Sequence, residues 1–448
     1  MRNADTRIDA AGVHANAAWN FVGLAAPLLV ALAAVPRLIS ALGPDAFGLL
    51  TLAWSCIGYF SLLDLGLGRA LAQVTAADLA GGGGSKIPAR FWTSLHLMAL
   101  VGILGAVVLL PIAGWLANHV FHLPPALQAD GRQSLYLIGA SIPVLSVSAG
   151  LRGFLEAHQR FAAVSAVRIG MGLLTFGAPL ALLPYSRRVA TFVAALVLTR
   201  VLGLAAYFEL SMSTMPALWQ SRSLDLAKAG ILLRLGGWMT VSNVVSPLMT
   251  YLDRFLIGAI LSVGAVAYYV TPFEMATKLL LIPSALTGVL FPAFSGALVG
   301  DRASAGALYR RSLAVVVFIL LPLSLAMATF GRLGLNLWLG PVFTNNTRHV
   351  LPILSLGVFV NGLAGVPFAL IQAAARPDLT AKLHLAEAPV YLAACWYLTQ
   401  RFGIDGAALA WTIRALLDAV ALLLLARRWN FNVAPGLAVP VFSGARAS

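Results

Sequence analysis

Long apolar runs are the feature that most constrains what this chain can fold into. About twelve stretches of roughly 20 apolar residues follow one another, separated by short polar segments. A helix of that length crosses the hydrocarbon layer of a membrane and satisfies its backbone hydrogen bonds internally. Mean hydropathy is +0.88, and 60% of the 448 residues are hydrophobic, which is above the apolar fraction of ordinary soluble domains. The sequence therefore predicts an all-α polytopic membrane protein.

The short polar segments between the apolar runs give the approximate positions of these membrane-spanning helices. The predicted spans lie near residues 17–40, 46–68, 91–117, 133–156, 161–184, 190–210, 231–253, 264–292, 312–336, 350–373, 380–400 and 405–426. Lys and Arg in the connecting segments are about twice as frequent on the side of the N-terminus as on the other side. Both termini are therefore expected in the cytoplasm.

An internal repeat divides the predicted spans into two groups of six. Three short patterns recur at a separation of about 215 residues, beginning at Arg37, Gly153 and Ala194 and again at Arg254, Phe368 and Ala407. Because six is an even number, the second group enters the membrane from the same side as the first, and the repeat is parallel. The expected architecture is two six-helix bundles, residues 1–216 and 217–448, that face each other across a central cleft.

Four motifs carry a family resemblance. They are residues 37–50 (RLISALGPDAFGLL), 63–69 (LDLGLGR), 283–292 (PSALTGVLFP) and 370–378 (LIQAAARPD). Through them, and over essentially its whole length, the chain resembles polysaccharide flippases of the multidrug/oligosaccharidyl-lipid/polysaccharide (MOP) exporter superfamily, and more narrowly Wzx-type O-antigen translocases. The resemblance implies a V-shaped, twelve-helix protein of the bacterial inner membrane that works by alternating access. It also implies that the first, second, seventh and eighth helices line much of the central cavity.

The resemblance and the charge pattern together predict the cargo. We expect an undecaprenyl-pyrophosphate-linked oligosaccharide, the repeat unit of O-antigen, capsule or exopolysaccharide, to move from the cytoplasmic to the periplasmic leaflet. A hydrophilic cleft with cations would replace the hydration that the sugar and phosphates lose, while the polyprenyl tail stays in lipid. A polysaccharide polymerase and a chain-length regulator are candidate partners. Nucleic acid is not, because the net charge of +14 is spread thinly instead of forming one soluble stripe.

Six cations lie well inside apolar runs: Arg152, Arg168, Arg200, Arg234, Lys278 and Arg414. An ionised group inside the membrane costs several kcal/mol unless it faces a water-filled cavity or a group of opposite charge. All of them except Arg414 are predicted to contact the pyrophosphate in the cavity. Arg414 is followed one turn later by Asp418, which favours a structural pair. Arg152 has Glu156 at the same spacing, so a simple ion pair remains open for it.

Three acids are candidates for energy coupling or for tuning the cations: Glu274, Glu387 and Asp64. Glu274 lies one turn before Lys278, and it either neutralises that ammonium or carries a proton. Asp64 and Arg69 bracket glycines that permit close packing of helices. No cofactor or metal is predicted, and coupling to H⁺, to Na⁺ or to the substrate gradient alone remains open.

Four residues are candidate sugar contacts: Asn16, Asn20, Trp238 and Tyr269. Trp238 follows Arg234 by one helical turn. The pair could bind a phosphate through the guanidinium and a sugar face through the indole ring, or it could anchor the helix at the membrane interface. Asn16 and Asn20 share a helix face and could equally bond to a neighbouring helix. Asp253 and Arg254, at the end of the seventh span, are expected at the far membrane interface.

Two other classes of function remain as alternatives. A drug antiporter of the same superfamily would export organic cations, for which a cleft dominated by carboxylates is expected. A membrane-bound polymerase or ligase would need a sizeable outer loop, and the predicted loops are short. The seven histidines have no metal-ligand spacing and no nucleotide-binding glycine motif occurs, so the sequence predicts a transporter instead of an enzyme.

Overall fold

The computed structural model describes residues 10–60, 67–81, 83–220, 249, 251–300, 302–374 and 376–432. Within these ranges the chain forms helices and short connections, and no strand is present. Nine helices of these ranges are long and apolar enough to cross a membrane. The predicted class, an all-α polytopic membrane protein, is confirmed.

Eleven long helices are labelled here in chain order. They are α1 (Ala10–Phe60), α2 (Leu67–Ala80), α3 (Ile87–Trp115), α4 (Pro125–Ala157), α5 (Phe161–Leu182), α6 (Val189–Thr214), α7 (Val263–Thr277), α8 (Leu281–Gly300), α9 (Arg302–Leu339), α10 (Val350–Ala373) and α11 (Pro377–Asn432). Residues 251–260 are also helical. Short helices cover Ala217–Gln220 and Pro341–Asn346.

Glycines with positive φ interrupt the two longest helices. Gly43 in α1 has φ 77° and Gly403 in α11 has φ 62°, a region that costs glycine little and other residues more. Both breaks fall between spans that the sequence predicts separately. The nine hydrophobic helices therefore contain eleven of the predicted spans. The remaining one, 231–253, lies mostly outside the described residues, so the count of twelve stays a prediction.

The chain forms two compact units, Met1–Ala267 (unit 1) and Tyr268–Ser448 (unit 2). In unit 1, α4 packs against α1, α2, α3, α5 and α6, and in unit 2, α10 packs against α8, α9 and α11. The most apolar windows of α4 and α10 are each 61% buried, the largest share among the described spans of either unit. These two helices are also the fourth members of their predicted six-span halves. The division at residues 216/217 and the parallel repeat stay predictions.

Helices α2 and α4 approach closely at Gly68 and Gly153. A Cβ atom on Gly153 would lie 2.3 Å from the carbonyl oxygen of Gly68, which is well inside van der Waals contact. Small residues at such crossings let two backbones pack directly. The crossing therefore requires a small residue at Gly153. The role of the glycines in the 63–69 motif stays a prediction, and Asp64 lies outside the described residues.

Candidate functional site

Three of the predicted cations lie within electrostatic range of one tyrosine of unit 1. Tyr207 lies on α6 with 3% of its surface exposed. Its hydroxyl is within electrostatic range of Arg152, Arg168 and Arg200, and of the carboxylate Glu156. Arg152, Arg168, Arg200 and Tyr207 are called the basic cluster from here on. Sequence spacing identified each arginine separately, but it gave no signal that Tyr207 is their common neighbour.

The arginines of the basic cluster lie at different depths from the same end of unit 1. Helix α4 ends, α5 begins and α6 ends at this side, because successive spans run in opposite directions. With a rise of 1.5 Å per residue, Arg152 is about 8 Å from the end of α4 and Arg168 about 10 Å from the start of α5. Arg200 is about 21 Å from the end of α6. The positive charges therefore extend from one end of the bundle towards its middle.

Arg200 is held by neutral groups of α5. One terminal nitrogen of its guanidinium donates to the Thr175 hydroxyl at 3.2 Å, and the other is 3.8 Å from the Met171 sulfur. The Thr175 hydroxyl in turn donates to the Met171 carbonyl at 2.7 Å. Among the described residues no carboxylate forms an ion pair with Arg200, and its buried Nε has no hydrogen-bond partner there. The guanidinium is oriented, but no acid of the described residues compensates its charge.

Arg152, Arg168 and Lys278 are partly or fully exposed. Arg152 is 3.8 Å from Glu156, and Lys278 is 2.9 Å from Glu274. Both pairs have the predicted one-turn spacing, and their side chains are partly exposed. Arg168 is exposed on α5. Partly exposed cations can exchange an acidic neighbour for another anion, so these pairs do not prevent a role in binding.

Replacing Glu156 by glutamine is expected to change the free energy of unfolding by less than about 1 kcal/mol, because a loose and partly exposed ion pair contributes little. The measurement is the thermal unfolding midpoint of the purified protein in detergent, compared with wild type. A large drop in this midpoint would show instead that the Arg152–Glu156 pair is a structural support of α4.

The remaining predicted site residues are dispersed or lie outside the description. Tyr269 has 0% of its surface exposed, and its ring packs 5.6 Å from that of Phe273, so it offers no surface to a sugar in this conformation. Asn16 and Asn20 lie in α1, but their side chains are outside the described part of the structure. The same holds for the whole residues Arg234, Trp238 and Asp64.

Asp253 and Arg254 are buried inside unit 1, and their expected place at the far membrane interface stays a prediction. They are 0% and 4% exposed. The Arg254 guanidinium donates to the Ser55 hydroxyl at 2.9 Å and lies over the Tyr251 ring at 5.0 Å. The end of the seventh span is covered by the second half of α1, because Ser55 belongs to that helix. Buried polar contacts therefore replace the water that an interfacial position would supply.

A second group of ionisable residues comes together in unit 2. His384 and Glu387 on the first half of α11 meet Asp418 on its second half, with one oxygen or nitrogen of each within 4.8 Å of the others. These three residues are called the carboxylate cluster. The predicted Arg414–Asp418 ion pair is absent from the described contacts, since Asp418 faces His384 at 3.6 Å and Arg414 lies over the Tyr391 ring at 5.6 Å. The break at Gly403 sets the two halves of α11 side by side and so decides these partners.

Comparison with known sequences identifies the family. The sequence profile described as polysaccharide biosynthesis protein matches residues 35–347. A protein of Shigella flexneri, named as an O-antigen transporter, is 30% identical over an alignment of 418 positions, which covers 91% of this chain and 96% of that relative. The chain belongs to the polysaccharide biosynthesis protein family. Membership in the polysaccharide biosynthesis protein family agrees with the motifs at residues 37–50 and 63–69.

This member of the polysaccharide biosynthesis protein family shares its fold with membrane transporters of known structure. An inward-facing multidrug resistance MATE family transporter of the MOP superfamily superposes with a TM-score of 0.76 at 14% identity, covering 92% of this chain and 98% of that chain. The lipid II flippase MurJ, in an inward closed conformation, gives 0.72 at 13% identity, with 92% and 87% covered. At these identities the likeness shows the fold alone. Together with the family match, it confirms the resemblance to Wzx-type flippases and the expectation of a transporter instead of an enzyme.

Proposed function

We propose that this member of the polysaccharide biosynthesis protein family flips an undecaprenyl-pyrophosphate-linked oligosaccharide from the cytoplasmic to the periplasmic leaflet by alternating access. The basic cluster is the observation that carries the proposal. Three guanidiniums within electrostatic range of one buried hydroxyl, with the carboxylate Glu156 also in range, give this part of unit 1 a net positive charge. Such a concentration of charge is costly unless it serves an anionic ligand.

The chemistry of the basic cluster suits a diphosphate. A guanidinium presents a planar fork of N–H donors that matches phosphate oxygens in pairs. Arg168 is exposed and Arg152 partly exposed, so both are available for a first contact. Arg200 is deeper, already oriented by Thr175, and carries no described acidic partner. Because the three arginines lie at different depths, the diphosphate would move from one to the next towards the middle of the bundle. Its binding at each arginine would be weak enough for release.

The proposal also assigns roles to three residues of the second half. Lys278, and Arg234 outside the described residues, would add contacts to the phosphates, and Trp238 would pack against a sugar ring.

The protein would reside in the bacterial inner membrane with both termini in the cytoplasm. A polysaccharide polymerase and a chain-length regulator would receive the product. The relative's name as an O-antigen transporter supports this choice of cargo over an organic cation, which the basic cluster would repel.

Deletion of the gene is expected to trap lipid-linked oligosaccharide on the cytoplasmic face of the inner membrane. The measurement is the fraction of lipid-linked sugar that a membrane-impermeant oxidant reaches in inverted and in right-side-out vesicles. The wild-type gene supplied in trans should restore sugar on the periplasmic face, with the vector alone as control. Lipid-linked oligosaccharide that still reaches the periplasmic face without the gene would contradict the proposal and favour a polymerase or ligase.

A further inference from the structure

The carboxylate cluster has buried acceptor atoms that the substrate site proposed above does not use. Asp418 is 6% exposed, and its Oδ1 accepts no hydrogen bond from the described residues. The nearest group that can carry a positive charge there is the His384 imidazole, with Nε2 at 3.6 Å. Both carboxylate oxygens of Glu387 are likewise buried and accept no hydrogen bond from the described part of the chain. Buried carboxylate oxygens without donors are costly and point to a missing cation.

The charges around Glu387 leave one negative charge uncompensated. The ionisable groups within electrostatic range of Glu387 are Asp418, His384 and Arg414. Helix α10 packs against α11 but contains no ionisable side chain. It contributes Phe368, whose ring stacks on His384 at 6.3 Å and fixes the imidazole. Among the described groups, two carboxylates against one guanidinium fall one positive charge short of neutrality until a proton binds to the imidazole or to a carboxylate, and two buried carboxylates this close cannot both ionise at low cost.

We propose that His384, Glu387 and Asp418 form a proton-binding centre through which transport is coupled to the proton gradient. One proton taken from water joins the cluster and cancels the uncompensated negative charge. The proton belongs to the cluster and not to one side chain, because groups that interact this closely titrate as a unit. The proposal rests on the transport function proposed above and identifies the coupling ion for it.

The carboxylate cluster lies part-way into unit 2. His384 is about 10 Å from the start of α11 and Asp418 about 14 Å from Arg427, and both distances run from the same end of the unit because the break at Gly403 folds α11 back on itself. A cavity of about 210 Å³ between the two halves of α11 reaches Glu387, Tyr391 and Arg414. Its lining is almost entirely apolar, and the Glu387 oxygens are buried, so the cavity gives them little contact with water. An imidazole among the acceptors and the neighbouring Arg414 disfavour a hard metal cation, which prefers a shell made of oxygen atoms.

Infrared difference spectra of the full-length chain in lipid vesicles, recorded without substrate between alkaline and acid pH, test proton binding directly. Wild type is expected to gain the carbonyl band of a protonated carboxyl group, and Glu387→Gln and Asp418→Asn are expected to lose that part of the band. Glu387→Asp should retain it, and Glu156→Gln, which removes a partly exposed carboxylate of unit 1, is the matched control. Equal thermal unfolding midpoints identify the variants whose spectra can be compared.

Two results would overturn the proton-binding centre. One is a set of identical difference spectra for wild type, Glu387→Gln and Asp418→Asn. The other is loss of the wild-type band on addition of sodium chloride at constant pH, which would make Na⁺ the occupant. Coupling has its own test, because collapse of the proton gradient should abolish flipping by wild type in inverted vesicles. Flipping that continues without the gradient overturns this inference but leaves the proposed function intact, since that depends on the gene-deletion experiment.

Discussion

Replacing Arg200 by alanine is expected to lower the flipping rate by about 10- to 100-fold, the equivalent of losing one charge-assisted contact to a phosphate. Arg200 is the deepest arginine of the basic cluster, and neutral groups, Thr175 and the Met171 sulfur, hold its guanidinium. Under the proposed function, this charge stabilises a diphosphate at mid-depth. The measurement is the rate at which lipid-linked oligosaccharide appears on the luminal side of inverted membrane vesicles, at matched protein level.

Two further variants separate a role in binding from a role in folding. Arg200→Lys keeps the charge but loses the forked geometry, so it should retain an intermediate rate. Arg332→Ala is the matched control, because Arg332 is an exposed arginine of α9 that donates to the Asn345 amide oxygen at 3.4 Å, outside the basic cluster. Wild-type flipping by Arg200→Ala would remove the basic cluster from the substrate path. So would an equal loss of activity in Arg332→Ala.

Gly153→Ala is expected to lower the thermal stability of the protein markedly, by about 1–3 kcal/mol or more, because the added methyl group would overlap the backbone of α2. The Gly68 carbonyl oxygen lies 2.3 Å from the position of that methyl group. A backbone atom cannot move aside as a flexible side chain can, so the crossing of α2 and α4 must open. The measurement is the thermal unfolding midpoint in detergent, together with the yield of monodisperse protein.

Gly170→Ala is the matched control for Gly153→Ala. Gly170 lies in α5, and no atom is within 4 Å of the Cβ position there. Alanine also has a higher helix propensity than glycine, so this variant should be as stable as wild type or slightly more stable. Equal midpoints for Gly153→Ala and wild type would mean that α2 and α4 are not packed as closely as the structure places them.

The helical class and most span boundaries could be predicted from the sequence, because the membrane imposes them locally. Any apolar run of about 20 residues must form a helix to satisfy its own backbone. The interruptions of the helices at Gly43 and Gly403 also depend on local sequence. Both glycines fall between predicted spans and adopt a positive φ, which glycine tolerates. The one-turn pairs Arg152–Glu156 and Lys278–Glu274 were also predictable, because both partners belong to one continuous stretch of helix.

The partners of other ionisable residues could not be predicted in the same way. Arg414 and Asp418 have the same one-turn spacing, yet Asp418 faces His384 and not Arg414. His384 comes from the first half of α11, which the break at Gly403 folds back along the second half. A partner from another part of the chain competes with the neighbour one turn away, and sequence spacing contains no information about that competitor.

The sequence by itself determined that the chain spans a membrane as helices, where most of those helices begin and end, and which family it belongs to. Those properties depend on residue type and on short-range spacing. Only the tertiary structure decided that Tyr207 lies within electrostatic range of three arginines, that Asp253 and Arg254 are buried, and that His384, Glu387 and Asp418 share one site. Helical periodicity fixes which residues share a face of a helix, whereas the packing of several helices at once fixes what each face meets.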